Sequence, residues 1–266
     1  MHEDIPTMGG GIRERLVGLC DAMGAHLEGL QDSKRRVSEA VHEIRKQGKA
    51  LRAGMALVGM PRASVRAIGT VGRMLAGQRD AVSRLKTWQR LDWDDGPQGH
   101  NPAVRAVGAM LEKLAHAAGH RPPAEAVAWA QARINEVRLV LELCSEETLQ
   151  AALPDGRRQL RRRLHKRMGH LSMRRRDAPA FHEARKALKA WLGAQELLDE
   201  APDEVCLKLA ELLGDENDLS ALETWLTARG FSKGMAPGIW LRVNERHHQL
   251  RADVIQESSC WIPRLS

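Results

Sequence analysis

Between residues 40 and 58, Val41, Ile44, Leu51, Met55 and Val58 recur three, four or seven positions apart. That spacing gathers them on one side of a helix turning 100° per residue. The stretch AVHEIRKQGKALRAG begins at Ala40, and AFHEARKALKAWLGA, beginning at Ala180, repeats its polar positions in register. His42, Glu43, Arg45, Lys46 and Lys49 return as His182, Glu183, Arg185, Lys186 and Lys189, beside a second apolar row of Phe181, Ala184, Leu188 and Trp191. Both stretches are predicted to be amphipathic helices.

Helical periodicity continues through segments at about 11–30, 36–59, 62–91, 101–118, 123–152, 156–175, 179–199 and 203–258, the last in two or three pieces. Turn chemistry separates them: Pro61, the run from Asp94 to Pro102, Arg121-Pro122-Pro123, Pro154-Asp155-Gly156, Pro179, Pro202 and Gly234 to Gly238. The chain has no Tyr and two Phe, which leaves little to build strands from. The expected fold is all-α.

The repeat reaches further than one helix. MGAHL from Met23 precedes the first copy and MGHL from Met168 the second; LAGQRDAVSRLKTW follows the first and LLGDENDLSALETW the second; Arg133-Ile134-Asn135-Glu136 returns as Arg242-Val243-Asn244-Glu245. Matches in one order predict two homologous halves, at about 11–152 and 156–258, each a four-helix unit of a single domain. Residues 1–10 read as a flexible start and 259–266 as a tail.

Lys and Arg exceed Asp and Glu by 41 to 34, a net charge of +7 with a pI near 9.6, which favours an anionic partner. Cys20, Cys144, Cys206 and Cys260 lie far apart with no metal-ligand spacing and are expected to be reduced thiols of a cytoplasmic protein. No stretch approaches the roughly 20 apolar residues of a membrane span, and MHEDIPTMGGG lacks the basic region and apolar run of a signal sequence, so neither secretion nor a membrane span is expected.

Beside the apolar row of the first copy stand His42, Arg45, Lys46, Lys49 and Arg52, and beside that of the second His182, Arg185, Lys186 and Lys189. No acid is interspersed, Glu43 and Glu183 being expected to point elsewhere, so like charges gather on one face and suit a polyanion. The two histidines can pack between helices, donate to a phosphate oxygen as neutral rings or add charge as cations. Neither has zinc-ligand neighbours, and the i, i+4 pair His116 and His120 lacks a third ligand. No nucleophile elbow, Walker A loop or H-E-x-x-H motif occurs. The run 157–176, with ten Lys or Arg and no acid, reads as a solvated helix face.

The order V-H-E-I-R-K, L-x-G-x-R-D, F-H-E-x-R-K, L-G-D-E-N-D-L resembles the conserved histidine α-helical domain family, CHAD, over about residues 11–258. That resemblance implies two pseudosymmetric four-helix bundles with a basic groove or pore between them that binds inorganic polyphosphate. His42, Arg45, Lys46 and Lys49 match the first histidine-basic motif, and His182, Arg185, Lys186 and Lys189 the second. Arg52, and Arg66 and Arg73 on the following helix, extend the first basic surface, whereas the helix after Pro202 is acidic. Arg79-Asp80 and Asn217-Asp218 match an acidic signature taken as structural. Gly48 and Ala187 stand where the family often has another Arg. The E-x-E-x-K strand of the triphosphate-hydrolysing domain that often precedes CHAD is absent. The expected protein is therefore a binding module, not an enzyme, without cofactor or metal, and placed at polyphosphate or other storage granules. Nonspecific nucleic-acid binding by the same surface is the alternative, disfavoured by the lack of aromatic stacking residues.

Overall fold

The computed structural model describes residues 10–30, 37–75, 77–93, 101–117, 122–175 and 177–262, and of residues 77–79 the backbone only. Ten helices and no strand occur among them: α1 Ile12–Gly29, α2 Val37–Leu57, α3 Arg62–Met74, α4 Gly77–Gln89, α5 Pro102–Ala117, α6 Ala124–Glu142, α7 Glu146–Gly169, α8 Ala178–Leu197, α9 Glu204–Ala228 and α10 Pro237–Trp261. The chain is all-α, as its lack of strand formers predicts. The segment expected at 62–91 is two helices, the first closed by Leu75, which is buried and returns its N–H to Val71.

The expected break at Pro154-Asp155-Gly156 does not occur. α7 runs through it although Pro154 removes one intrahelical donor, because the buried row of Leu149, Gly156, Leu160, Leu164 and Met168 continues across the site. Gly156 lies directly on α2: a Cβ there would stand 1.6 Å from the Leu57 carbonyl oxygen. The chain breaks instead before Glu146, where Ser145 Oγ accepts the Thr148 N–H at 3.2 Å, an N-cap that satisfies one of the open donors of a helix start. Glu146 does the same at a distance, its carboxylate accepting the Ile12 and Arg13 N–H groups at 2.7 and 2.9 Å. It thereby caps α1, whose own N-cap, Gly11, has no side chain to offer.

The helices form two compact units that cut across the sequence halves. One holds residues 1–75, 121–160 and 190–201. Its core is drawn from Leu16, Met23 and Leu27 of α1, Ile44, Leu51 and Met55 of α2, Ile68 and Val71 of α3, and Ile134 and Leu141 of α6, all buried. The other holds 76–120, 161–189 and 202–266. Here α4 and α5, from the first sequence half, join α9 and α10 because the apolar partners of Trp88, Val107 and Leu111 are Leu222, Leu226, Ile239 and Trp240. Trp88 also meets Trp93 with ring centroids 4.3 Å apart, and the Trp93 indole donates to the Trp88 carbonyl. Each unit carries one copy of the histidine-basic motif, on α2 and on the first part of α8.

Candidate anion-binding surfaces

The two motif copies share one burial pattern. From 41 to 46 the residues are in turn buried, exposed, half-buried, buried, half-buried and exposed, and 181 to 186 repeat this. Val41 and Ile44, like Phe181 and Ala184, enter the cores, so helix geometry leaves the histidine and the basic residues on the outward side. Gly48 and Ala187 face inward; a Cβ on Gly48 would stand 3.3 Å from Met23 Cε, and Ala187 is 1% exposed. An arginine at either place would have to enter a core.

In the first copy the surface extends onto α3. The Arg52 guanidinium covers Gly69, with Cζ 3.4 Å from where a Cβ would be. Gly69 lies one turn from Arg66 and one from Arg73, so Arg52 fills the space between these two exposed arginines. Arg73 is steadied by a 2.6 Å hydrogen bond to Thr70 Oγ1. The sequence-predicted residues of this half, His42, Arg45, Lys46, Lys49, Arg52, Arg66 and Arg73, thus occupy adjoining faces of α2 and α3. Glu43 corrects one expectation: it folds back toward the row, 3.9 Å from His42 and 4.0 Å from Lys46.

In the second copy the same glutamate is bound more closely. Glu183 accepts a hydrogen bond from Lys186 at 2.8 Å and has Arg163 and Arg167 of α7 at 3.9 and 3.8 Å. The Lys186 hydrogen bond, with the positive charges of Lys186, Arg167 and Arg163, holds its carboxyl below the usual range against the opposing effect of burial. Sequence reasoning assigned Arg163 and Arg167 to a solvated face. In a run where nearly every polar position is cationic, spacing alone does not mark the two that turn toward α8.

His182 is fixed by a chain of hydrogen bonds. Its Nδ1 lies 2.8 Å from Asn217 Oδ1, Asn217 Nδ2 donates to Asp218 Oδ1 at 3.2 Å, and Ser83 Oγ donates to Asp218 Oδ2 at 2.9 Å. The carboxylate only accepts, so it sets the amide's orientation; the amide oxygen only accepts, so His182 Nδ1 carries the proton. Nε2 of the neutral ring therefore holds a lone pair and donates only when the ring is protonated. This narrows the expectation that a neutral histidine donates to phosphate. Asn217 and Asp218 position His182; the Arg79 side chain lies outside the described residues.

Behind this copy stands a buried ion pair. Arg251 donates to Glu216 Oε1 through Nε at 2.9 Å and Nη2 at 2.7 Å, and its guanidinium lies 5.2 Å from the centre of the buried Phe181 ring. Glu216 is 1% exposed. Nearby on α10, His247 is buried with Nδ1 3.6 Å from Glu223, and burial, aided by the charges of Arg251 and His248, pushes its pKa down to about 4. The thiols of Cys20 and Cys206 are pushed up to about 12, chiefly by burial, which keeps them protonated and unreactive. No group of His, Cys, Asp and Glu fit for a metal occurs among the described residues; His120 lies outside them. None of the described helices is long and apolar enough to cross a membrane.

The CHAD domain family model matches residues 18–227. Among solved structures, the CHAD domain from the plant Ricinus communis is similar at 20% identity and a TM-score of 0.53, over 94% of this chain and 91% of that one. PptA from Streptomyces chartreusis is similar at 14% identity and a TM-score of 0.53, over 96% and 99%. None of the curated proteins matches the sequence. With the histidine-basic motif present twice on an all-helical frame and the family model spanning most of its length, the chain belongs to the CHAD domain family.

Proposed function

We propose that the chain binds inorganic polyphosphate without turning it over, through the cationic rows of α2 with α3 and of α8, and that this binding holds it at polyphosphate or other storage granules. The observation that carries the reading is the identical burial pattern of the two motif copies, which leaves histidine, arginine and lysine outward in both. A flexible polyanion with about one charge per phosphate suits such rows, because each Lys or Arg it meets releases condensed counterions. Arg adds bidentate recognition of phosphate oxygens. The residues assigned are His42, Arg45, Lys46, Lys49, Arg52, Arg66, Arg73, His182, Arg185, Lys186 and Lys189.

The test is a titration with polyphosphates of defined length at two salt concentrations, with duplex DNA as competitor. Long chains should bind, weaken steeply with salt and displace DNA. A response flat in salt, or DNA that displaces polyphosphate, would overturn the assignment.

A further inference from the structure

Three cations from two helices converge on one carboxylate in the second unit. Glu183 accepts a close hydrogen bond from Lys186; Arg163 and Arg167 both approach its Oε2 but stop at 3.9 and 3.8 Å, too far to hydrogen-bond. The cluster lies at the surface, with Arg163, Arg167 and Lys186 side chains 50, 41 and 47% exposed and that of Glu183 32% exposed. Arg163 and Arg167 are one turn apart on α7 and so present their guanidinium groups side by side. Three positive charges around one negative charge leave a surplus of two, held where a second anionic group can approach from solvent.

We infer that Glu183 is a built-in counter-ion, its carboxylate occupying the place that an oxyanion of the ligand takes among Lys186, Arg163 and Arg167, so that these α7 arginines belong to the anion-binding surface. The inference rests on the polyphosphate reading for the identity of the ligand but not for the existence of the site. A phosphate oxygen entering the cluster meets a lysine already drawn toward it and two guanidinium groups with room to close by about 1 Å to hydrogen-bond distance. It also meets repulsion from Glu183, which makes the site sparing toward weakly charged anions and responsive to a chain of linked phosphates. The corresponding Glu43 has Lys46 and His42 of its own helix at 4.0 and 3.9 Å, without the close hydrogen bond that Lys186 makes to Glu183.

The experiment compares the wild-type chain, Glu183→Gln and the double variant Arg163→Gln with Arg167→Gln. Each is titrated with long-chain polyphosphate and, separately, with heparin over a range of salt, with thermal melts as control. Glutamine keeps the shape and loses the charge, so Glu183→Gln should bind roughly threefold to tenfold tighter at low salt, the effect of one charge at a few ångströms in water. Its log-affinity against log-salt slope should steepen by about one, since the freed cations then hold a counterion that the ligand releases. The arginine variant should bind more weakly with a shallower slope. If wild type binds polyphosphate and Glu183→Gln leaves affinity and slope unchanged or lowers them, the counter-ion role falls and the polyphosphate reading stands. If polyphosphate does not bind but heparin does, with the same response to Glu183→Gln, the cluster stands and the ligand reading falls. If neither polyanion binds the wild-type chain, both fall.

Discussion

The α2 and α8 copies carry the same polar residues at the same register and differ in what surrounds them. Glu43 touches its row at 3.9 and 4.0 Å, whereas Glu183 is hydrogen-bonded at 2.8 Å and flanked by two arginines of another helix. Behind α2 lies ordinary apolar packing, Met23 and Ile68 against Gly48. Behind α8 lies the Arg251 and Glu216 pair under Phe181. A motif that occurs twice thus shares its outward chemistry while its support is set by whichever helices pack against it, and the two occurrences should respond differently to perturbation.

The sharpest contrast is in stability. Arg251→Met leaves the Glu216 carboxylate buried without its cation, which should cost about 3–5 kcal/mol, read by urea denaturation. Gly48→Ala brings a methyl to 3.3 Å from the flexible end of Met23 and should cost under about 1 kcal/mol, helped by the better helix propensity of Ala. Equal losses from the two would remove the distinction between the supports.

Acid should separate the two units next. His247, at about 4 when folded, takes up a proton first in the unfolded chain, whose histidines titrate near 6.5. Its contribution to stability is complete above about pH 6.5 and is lost as pH falls toward 4, by on the order of 3 kcal/mol. Glu146, in the α2 unit, behaves otherwise: burial raises its pKa, but the hydrogen bonds from Arg13, Gln150 and Ile12 outweigh that and lower it overall. The α1 cap it forms is therefore retained above the ordinary glutamate range, near pH 4.3, and lost as pH falls below it. Hydrogen exchange followed from pH 7 to 4 should show α10 amides losing protection before those of α1; the reverse order would contradict both assignments.

Ligand binding should show a smaller difference. Lys46→Ala with Lys49→Ala and Lys186→Ala with Lys189→Ala should each weaken long-chain polyphosphate about tenfold near 0.1 M salt, two cationic contacts being lost in each case. Melting should move little, since Lys46, Lys49 and Lys186 are exposed and Lys189 is half-buried, and exposed changes stay within about 0.5 kcal/mol each. If one pair abolishes binding and the other does nothing, the function resides in one copy alone.

The smallest effect concerns His182. His182 Nδ1 donates to Asn217 Oδ1, which leaves Nε2 as the ring nitrogen that can meet a ligand. His182→Ala should weaken long-chain polyphosphate about threefold in the same titration, and an affinity unchanged by the substitution would show that His182 does not meet the ligand.

The all-helical fold and the outward cations of both motif helices were legible in the sequence because both follow from a single periodicity, which depends on nothing outside the helix. What lay across helices was not. Whether Arg163 or Arg161 turns toward Glu183 depends on the crossing of α7 and α8, and all the arginines of that run look alike in one dimension. Pro154 and Gly156 carried the right local signal for a break, and tertiary burial against Leu57 overrode it. The grouping of α4 and α5 with α9 and α10 followed apolar partners far away in the chain, whereas the sequence halves suggested neighbours in order. His182 was found by its repeat, but its tautomer required Asn217 and Asp218 to be seen in contact.

The cap that Glu146 places on α1 spans 134 residues of chain, and the same unit also needs residues 190–201. During synthesis at roughly 5–20 residues per second, α1 and α2 therefore wait on the order of ten seconds before the helices that cover their apolar faces exist. For that interval Leu16, Met23, Ile44 and Leu51, all 1% exposed or less in the finished fold, have only each other and the apolar side of α3 for shelter. The order of translation leaves these helices uncovered early, and α2, with four cations, Arg45, Lys46, Lys49 and Arg52, against two glutamates, Glu39 and Glu43, gives that nascent segment a net positive charge that keeps neighbouring chains apart.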